Sequence, residues 1–172
     1  MYIRQICLHN NIMNKEDKIY AEKVLKQLFI GAKVDGVQFG ISSATIKIIF
    51  TDFEAAVDYD GQLHVNIESK WCLFNTPPEK YPSNEDEFDD YTEEEEYKRI
   101  FEMRRKKVTD IQLGKATPHL IITFENGQIM FANGFHDYYE CWQAGVQFED
   151  WLVVAAPGNK IATWTPDEFT NK

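Results

Sequence analysis

Apolar and polar residues alternate along most of this chain, and the alternation breaks into segments of strand length. Val37, Phe39 and Ile41 alternate with polar partners before Ile46, Ile48 and Phe50 do the same, with Gly40 between them where the backbone can turn. Leu63, Val65 and Ile67 share one face of a third segment, Gln62 to Glu68. The same order returns later. Aligned without gaps at an offset of 74, Lys33, Val34, Gln38, Gly40, Ile48 and Phe50 recur as Lys107, Val108, Gln112, Gly114, Ile122 and Phe124. Chance would supply about one identity in such a window. Val37, Phe39 and Ile46 change only to Ile111, Leu113 and Leu120, so bulk and apolarity are kept. Asn126-Gly127, a dipeptide suited to a tight hairpin turn, then leads to Ile129 and Phe131 as the third strand of the second copy.

A period of 3.6 residues precedes each copy. Asn14 reads as a cap, Glu16 and Asp17 fill the first turn, and Tyr20, Ala21, Val24, Leu25 and Leu28 form one stripe ended by Gly31, which predicts a helix over 15–30. Thr92 with Glu95 is a capping-box pattern for a second helix over 93–105, with Glu94 to Lys98 and Glu95 to Arg99 as favourable pairs four apart. Tyr2, Ile6 and Leu8 suggest an edge strand within the first thirteen residues. Trp151 to Ala155 and Lys160 to Trp164, joined by Pro157-Gly158-Asn159, predict a C-terminal hairpin, and 167–172 reads as a short tail. The expected fold is α+β, mainly an antiparallel sheet built from two related α-β-β-β units, about 15–74 and 92–135, plus the C-terminal β-hairpin. A length of 172 residues suits one compact domain with that internal duplication.

Charge changes the picture. The net charge is −10, yet Glu85, Asp86, Glu87, Asp89, Asp90, Glu93, Glu94, Glu95 and Glu96 supply nine negative charges within 84–97, leaving about −1 for the rest. Nucleic acid is a poor partner for such a field, since phosphate neutralisation needs clustered cations. With its prolines and few apolar anchors, 77–91 reads as a flexible connecting segment. The acidic run, with Phe88 and Tyr91 as apolar anchors, is the candidate surface for a protein partner. No apolar run is long enough to span a membrane, and the N-terminus is too polar for a signal peptide, so a cytoplasmic protein is expected. Three cysteines without a CxxC spacing fit reduced thiols and no disulfide framework.

Chemistry-bearing residues are few. His119, His136, Asp137 and Glu140 offer nitrogen and oxygen ligands for a divalent metal, as a small metal-dependent hydrolase would need, but their spacing fits no marked metal signature. Cys141 with His136 offers a nucleophile and base, against which stands the aromatic setting of Cys141 beside Trp142; Cys72 lies beside Trp71 in the same way. His64 falls on the polar face of its strand and is expected to be solvated. Trp71, Trp142, Trp151 and Trp164 suit either a core or a binding surface. No cofactor, metal or catalytic centre is expected.

Four segments carry a resemblance: Gly31-Ala32-Lys33-Val34 leading into alternating strands, the Phe124-Glu125-Asn126-Gly127 turn, Tyr139-Glu140-x-Trp142, and the late Pro157-Gly158 hairpin. Together they resemble small β-rich bacterial domains of uncharacterised function, some similar to immunity proteins of polymorphic-toxin systems. The likeness covers the second half well and the first half as a degraded copy. It implies a non-enzymatic inhibitor that holds a toxic, basic partner inactive, and transfers no catalytic residue. The alternatives are the metal-dependent hydrolase and a phage-derived or accessory protein.

Overall fold

A computed structural model of the chain describes residues 12–40 and 45–170. In chain order the elements are α1 (Lys15–Phe29), β1 (Lys33–Phe39), β2 (Ile46–Thr51), β3 (Leu63–Ile67), β4 (Trp71–Phe74), a 3-10 turn (Glu85–Glu87), α2 (Glu93–Met103), β5 (Val108–Leu113), β6 (Leu120–Phe124), β7 (Ile129–Ala132), β8 (Trp142–Val146), β9 (Leu152–Ala156), β10 (Lys160–Trp164) and the single turn α3 (Asp167–Thr170). The strands form two antiparallel sheets, one ordered β1-β2-β3-β8-β9-β10 and the other β4-β7-β6-β5. The fold is α+β. No helix among the described residues is long and apolar enough to cross a membrane. The expected N-terminal edge strand lies almost wholly outside the described residues.

Both helices start where their caps require. The Asn14 side chain accepts from the N–H groups of Glu16 and Asp17, and Thr92 with Glu95 forms a complete capping box. Because Glu95 is folded back onto Thr92, the expected pairing with Arg99 is replaced: Arg99 turns to Glu102 at 3.2 Å and lies over the Tyr91 ring. α2 also ends two residues earlier than its sequence pattern, because Arg105 takes a left-handed φ of 65° and donates its N–H to Val34.

Hairpins β1-β2 and β5-β6 share a register at the offset of 74. Val34 faces Phe50 and Val108 faces Phe124; Val37 faces Ile48 and Ile111 faces Ile122; Phe39 faces Ile46 and Leu113 faces Leu120. Each carries a bulge at the same place, between Val34 and Gly36 and between Val108 and Asp110. The two meet in a reciprocal set of bonds around the Lys33–Lys107 bridge. Gly31 N–H donates to Val108 O at 2.9 Å and Arg105 N–H to Val34 O at 2.6 Å, while Val108 N–H reaches Ala32 O and Val34 N–H reaches Lys106 O. Gly31, the counterpart of Arg105, also has positive φ, at 99°.

After each third strand the chain changes sheets. β4 leaves β3 to pair with β7, and β8 leaves β7 to pair with β3. Trp71 thus sits opposite Ala132 while Trp142 sits opposite Ile67, residues that themselves face Leu120 and Ile46. Leu25, Leu28 and Phe29 of α1, Ile100 and Met103 of α2 and the inward residues of both sheets form one buried cluster. The exchange makes β3 an interior strand, between β2 and β8, and all five of its residues are buried. His64, expected in solvent, is therefore only 6% exposed, closed in by neighbouring strands at Ile49 and Gly145. The expected C-terminal tail is likewise held: Phe169 packs edge-on against Trp151 at 4.9 Å.

Candidate partner-binding surface

The acidic segment is fixed by what the sheet beneath it leaves uncovered. On the outer face of the β4-β7-β6-β5 sheet, Cys72, Phe74, Ile121 and Phe131 form a small apolar patch, and the chain after β4 folds back over it. Tyr81 stacks on Phe131 with ring centroids 5.0 Å apart, Phe88 lies 5.6 Å from the same ring, and Tyr91 meets Trp71 edge-on. Phe88 is 6% exposed, so it anchors the segment to its own sheet and is not the partner-facing side chain the sequence suggested. Tyr91 is half-buried. The stretch expected to be flexible is thus tied down by aromatic contacts spread along it.

Polar bonds finish the attachment. Asn84 caps the 3-10 turn, Ser83 donates from both N–H and Oγ to Glu87, Asn133 Nδ2 donates to Glu85, and Lys70 Nζ meets Asp90 at 2.6 Å. The donors at Ser83 and Thr92 hold the carboxyls of Glu87 and Glu95 below the usual range. Tyr97 donates its hydroxyl to Glu93 at 2.6 Å, a bond that pushes the phenol up to about 12. Glu96 accepts from Trp71 Nε1 at 3.1 Å, and burial there raises its carboxyl. Asp86, Glu87, Asp89, Asp90, Glu93, Glu94 and Glu95 are exposed, with Glu85 and Glu96 half-buried. The result is a carboxylate array on an anchored backbone.

Glu85 also borders a cleft of about 340 Å³ shared with Glu68, Ser69, His136, Tyr139 and Glu140. Glu68 follows β3 and Glu140 precedes β8, so the sheet exchange brings them to one place. The His136 ring packs on Tyr139 at 4.8 Å, and its Nδ1 accepts from the N–H groups of Tyr138 and Tyr139 at 3.1 Å each. Tyr138 and Tyr139 are 80% and 70% exposed beside this cleft. Carboxylates with flanking rings suit a cationic side chain.

Cys141 joins His136 and Glu140 in this cleft, while Cys72 and His119 lie apart from it. Cys141 lines the cleft, yet burial, with Glu85 and Glu68 nearby, pushes its thiol up to about 12, and burial does the same to Cys72. Neither is a thiolate at neutral pH. His119 is buried against Phe131 away from that cleft, and its Nδ1 accepts from Gly134 N–H at 3.0 Å. Among the described residues no three His, Cys, Asp or Glu side chains are placed to hold a metal ion together.

Burial lowers the imidazole of His119 from 6.5 to about 4. The unfolded chain therefore takes up a proton between those values that the folded chain refuses, and stability is expected to fall by about 3 kcal/mol as pH drops from 6.5 towards 4. His64 is shifted in the same direction by burial and adds to the loss. His119→Asn, whose Oδ1 can still accept from Gly134, should flatten this dependence in urea unfolding at pH 7 and pH 4.5. An unchanged pH slope would show that His119 does not titrate in this way.

Compared with known proteins, the chain matches no family model, no curated protein and no solved structure. The surface therefore rests on its own geometry. Its acidic members were plain in the sequence. Glu68, Asn133, Tyr81 and Tyr138, which frame or fasten it, were not, since nothing local signals that β4 and β8 change sheets.

Proposed function

We propose that this chain is a non-enzymatic cytoplasmic protein-binding module, in its most concrete form an immunity-type inhibitor that holds a basic protein partner inactive. The observation that carries the reading is the anchored acidic array. Carboxylates on a mobile tether would serve solubility alone, whereas here Tyr81, Phe88 and Tyr91 fasten the segment to a sheet face and leave seven acids pointing outwards. An array held in place can match a complementary array of cations, steering encounter and selecting the docking pose. The neighbouring cleft supplies carboxylates and rings for one inserted Lys or Arg. Buried, protonated thiols at Cys72 and Cys141 fit a reducing compartment.

The test begins with capture of the partner on the immobilised full chain, its identification by mass spectrometry, and stopped-flow binding at low and high salt. Changing Glu93, Glu94, Glu95 and Asp86 to their amides should slow association several-fold and weaken its salt dependence, with a smaller change in dissociation. Association indifferent both to these substitutions and to added salt would reduce the acidic run to a solubility feature.

A further inference from the structure

Both sheets end in a strand that belongs to the shared hairpin register, β1 in one and β5 in the other, and the two ends are treated differently. Along β5, α1 closes the edge: Leu113 N–H donates to Glu22 Oε1 at 2.8 Å and Lys26 bridges Asp110 at 3.4 Å. The counterparts of Leu113 and Asp110 at the offset of 74 are Phe39 and Gly36. Beyond Val34, whose N–H and C=O are taken by Lys106 and Arg105, no hydrogen bond or ion pair joins β1 to α2 among the described residues. α2 has 11 residues and buries only Ile100 and Met103, where α1 has 15 and buries five. Its Tyr97 ring meets Phe39 at the far end of β1, and between that contact and Val34 the helix stands off the strand. A groove of about 310 Å³ is left between them, lined by Val37, Tyr97, Ile100 and Phe101 with the charged Asp35 and Arg104 beside them.

The groove is mainly apolar and open to solvent. Phe101 is 71% exposed on one lip and Phe39 63% exposed on the other, its ring 4.7 Å from Tyr97. Large exposed rings beside a strand edge that, past Val34, pairs with no described residue form an attachment site that proteins normally cover. The formal charges of Asp35 and Arg104 in the lining cancel, so the glutamates at the Tyr97 end say what covers this one. The first turn of α2, immediately before Tyr97, is four consecutive glutamates, and Tyr97 itself holds Glu93. We infer that the β1-α2 groove takes an extended segment of the basic partner, which adds as a strand to the edge of β1, seats one apolar side chain between Val37, Ile100 and Phe101, and turns a flanking Lys or Arg to Glu93 and its neighbours. This rests on the partner-binding reading above and deepens it: the acidic array steers, and the groove supplies the dry contact that slows dissociation.

The probe is a short blocked peptide in which lysine alternates with valine about a central phenylalanine, titrated into the isotope-labelled full chain and followed by NMR. Amide shifts should move at 36–39 and at Tyr97, Ile100 and Phe101. Methylating the peptide's amides along one edge should abolish binding while methylation along the other is tolerated, as strand addition requires. Phe101→Asp, at an exposed position that does not support the fold, should weaken binding at least tenfold. Four results overturn the inference: no binding, shifts confined to the acidic segment, equal loss from methylation of either edge, or a change in the oligomeric state of the chain alone on Phe101→Asp, which would give the groove to a second copy. A peptide with glutamate in place of lysine that binds the groove equally well would instead defeat the basic-partner reading. Shifts on the acidic segment alone that fade with salt would leave that reading standing without the groove.

Discussion

Phe50→Ala and Phe124→Ala are each expected to cost about 3–5 kcal/mol of folding stability, and to cost similar amounts. Phe50 is 0% and Phe124 1% exposed, and each lies opposite the valine at the start of its hairpin's first strand, Val34 or Val108. Phe50 also meets Phe29 of α1 edge-on, with centroids 5.2 Å apart. Truncation removes a ring from the single buried cluster that contains residues of both sheets and both longer helices, where little can collapse into the space. Denaturant unfolding at unchanged m-value reads the loss directly. A cost below about 1 kcal/mol at either position would mean that the two rings do not occupy comparable cores.

Gly134→Ala is expected to destabilise the fold by about 3 kcal/mol or more, for a reason that involves no lost contact. A Cβ at Gly134 would lie 1.9 Å from Pro118 O and 2.6 Å from His119 N, both backbone atoms that cannot swing aside. The same backbone positions His119 to accept from Gly134 N–H, and Pro118 O accepts from Trp142 Nε1 at 2.8 Å. One methyl group would therefore press apart the two chain segments that carry three buried bonding partners. Gly127 is the control. Its φ is +84° but a Cβ there meets nothing within 4 Å, so Gly127→Ala should cost only about 1 kcal/mol of backbone strain. Thermal melts that show the two substitutions to be equally mild would remove the steric argument.

What could be read from the sequence follows the range over which each signal acts. Asn14, Thr92 and Glu95 mark helix starts because a cap bonds within three residues, and Asn126-Gly127 marks its turn because φ is a property of one residue. The two hairpins were legible because alternation on either side of a glycine is a local pattern. The sheet exchange was not. Whether Trp71 pairs with its own half or the other is decided across the molecule, by residues near position 132, and no local preference encodes it. Two misreadings follow from that one gap. His64 looked solvated because its strand alternates, yet β8 arrives to make that strand interior. Phe88 looked like a partner anchor because acids surround it, yet the outer face of β4 and β7 was waiting to be covered. The same covering turns an expected tether into a fixed surface.

The exchange of β4 and β8 also sets the order in which the molecule can become itself during synthesis. The first half can bring β1, β2 and β3 together, but the strand that flanks β3 lies beyond residue 140, and β4 emerges with no partner until β7 follows. For that interval Trp71, Cys72, Leu73 and Phe74 are an apolar stretch without the strand that pairs with it in the fold, the kind of segment through which nascent chains stick to one another. Immediately downstream come three prolines, Pro77, Pro78 and Pro82, and the nine carboxylates. On neighbouring nascent chains they repel their own kind, and prolines cannot extend the strand, so the segment acts as a gatekeeper while β4 waits. Once β7 arrives, the same segment folds down over Phe131 and the guard becomes the acidic surface of the mature molecule.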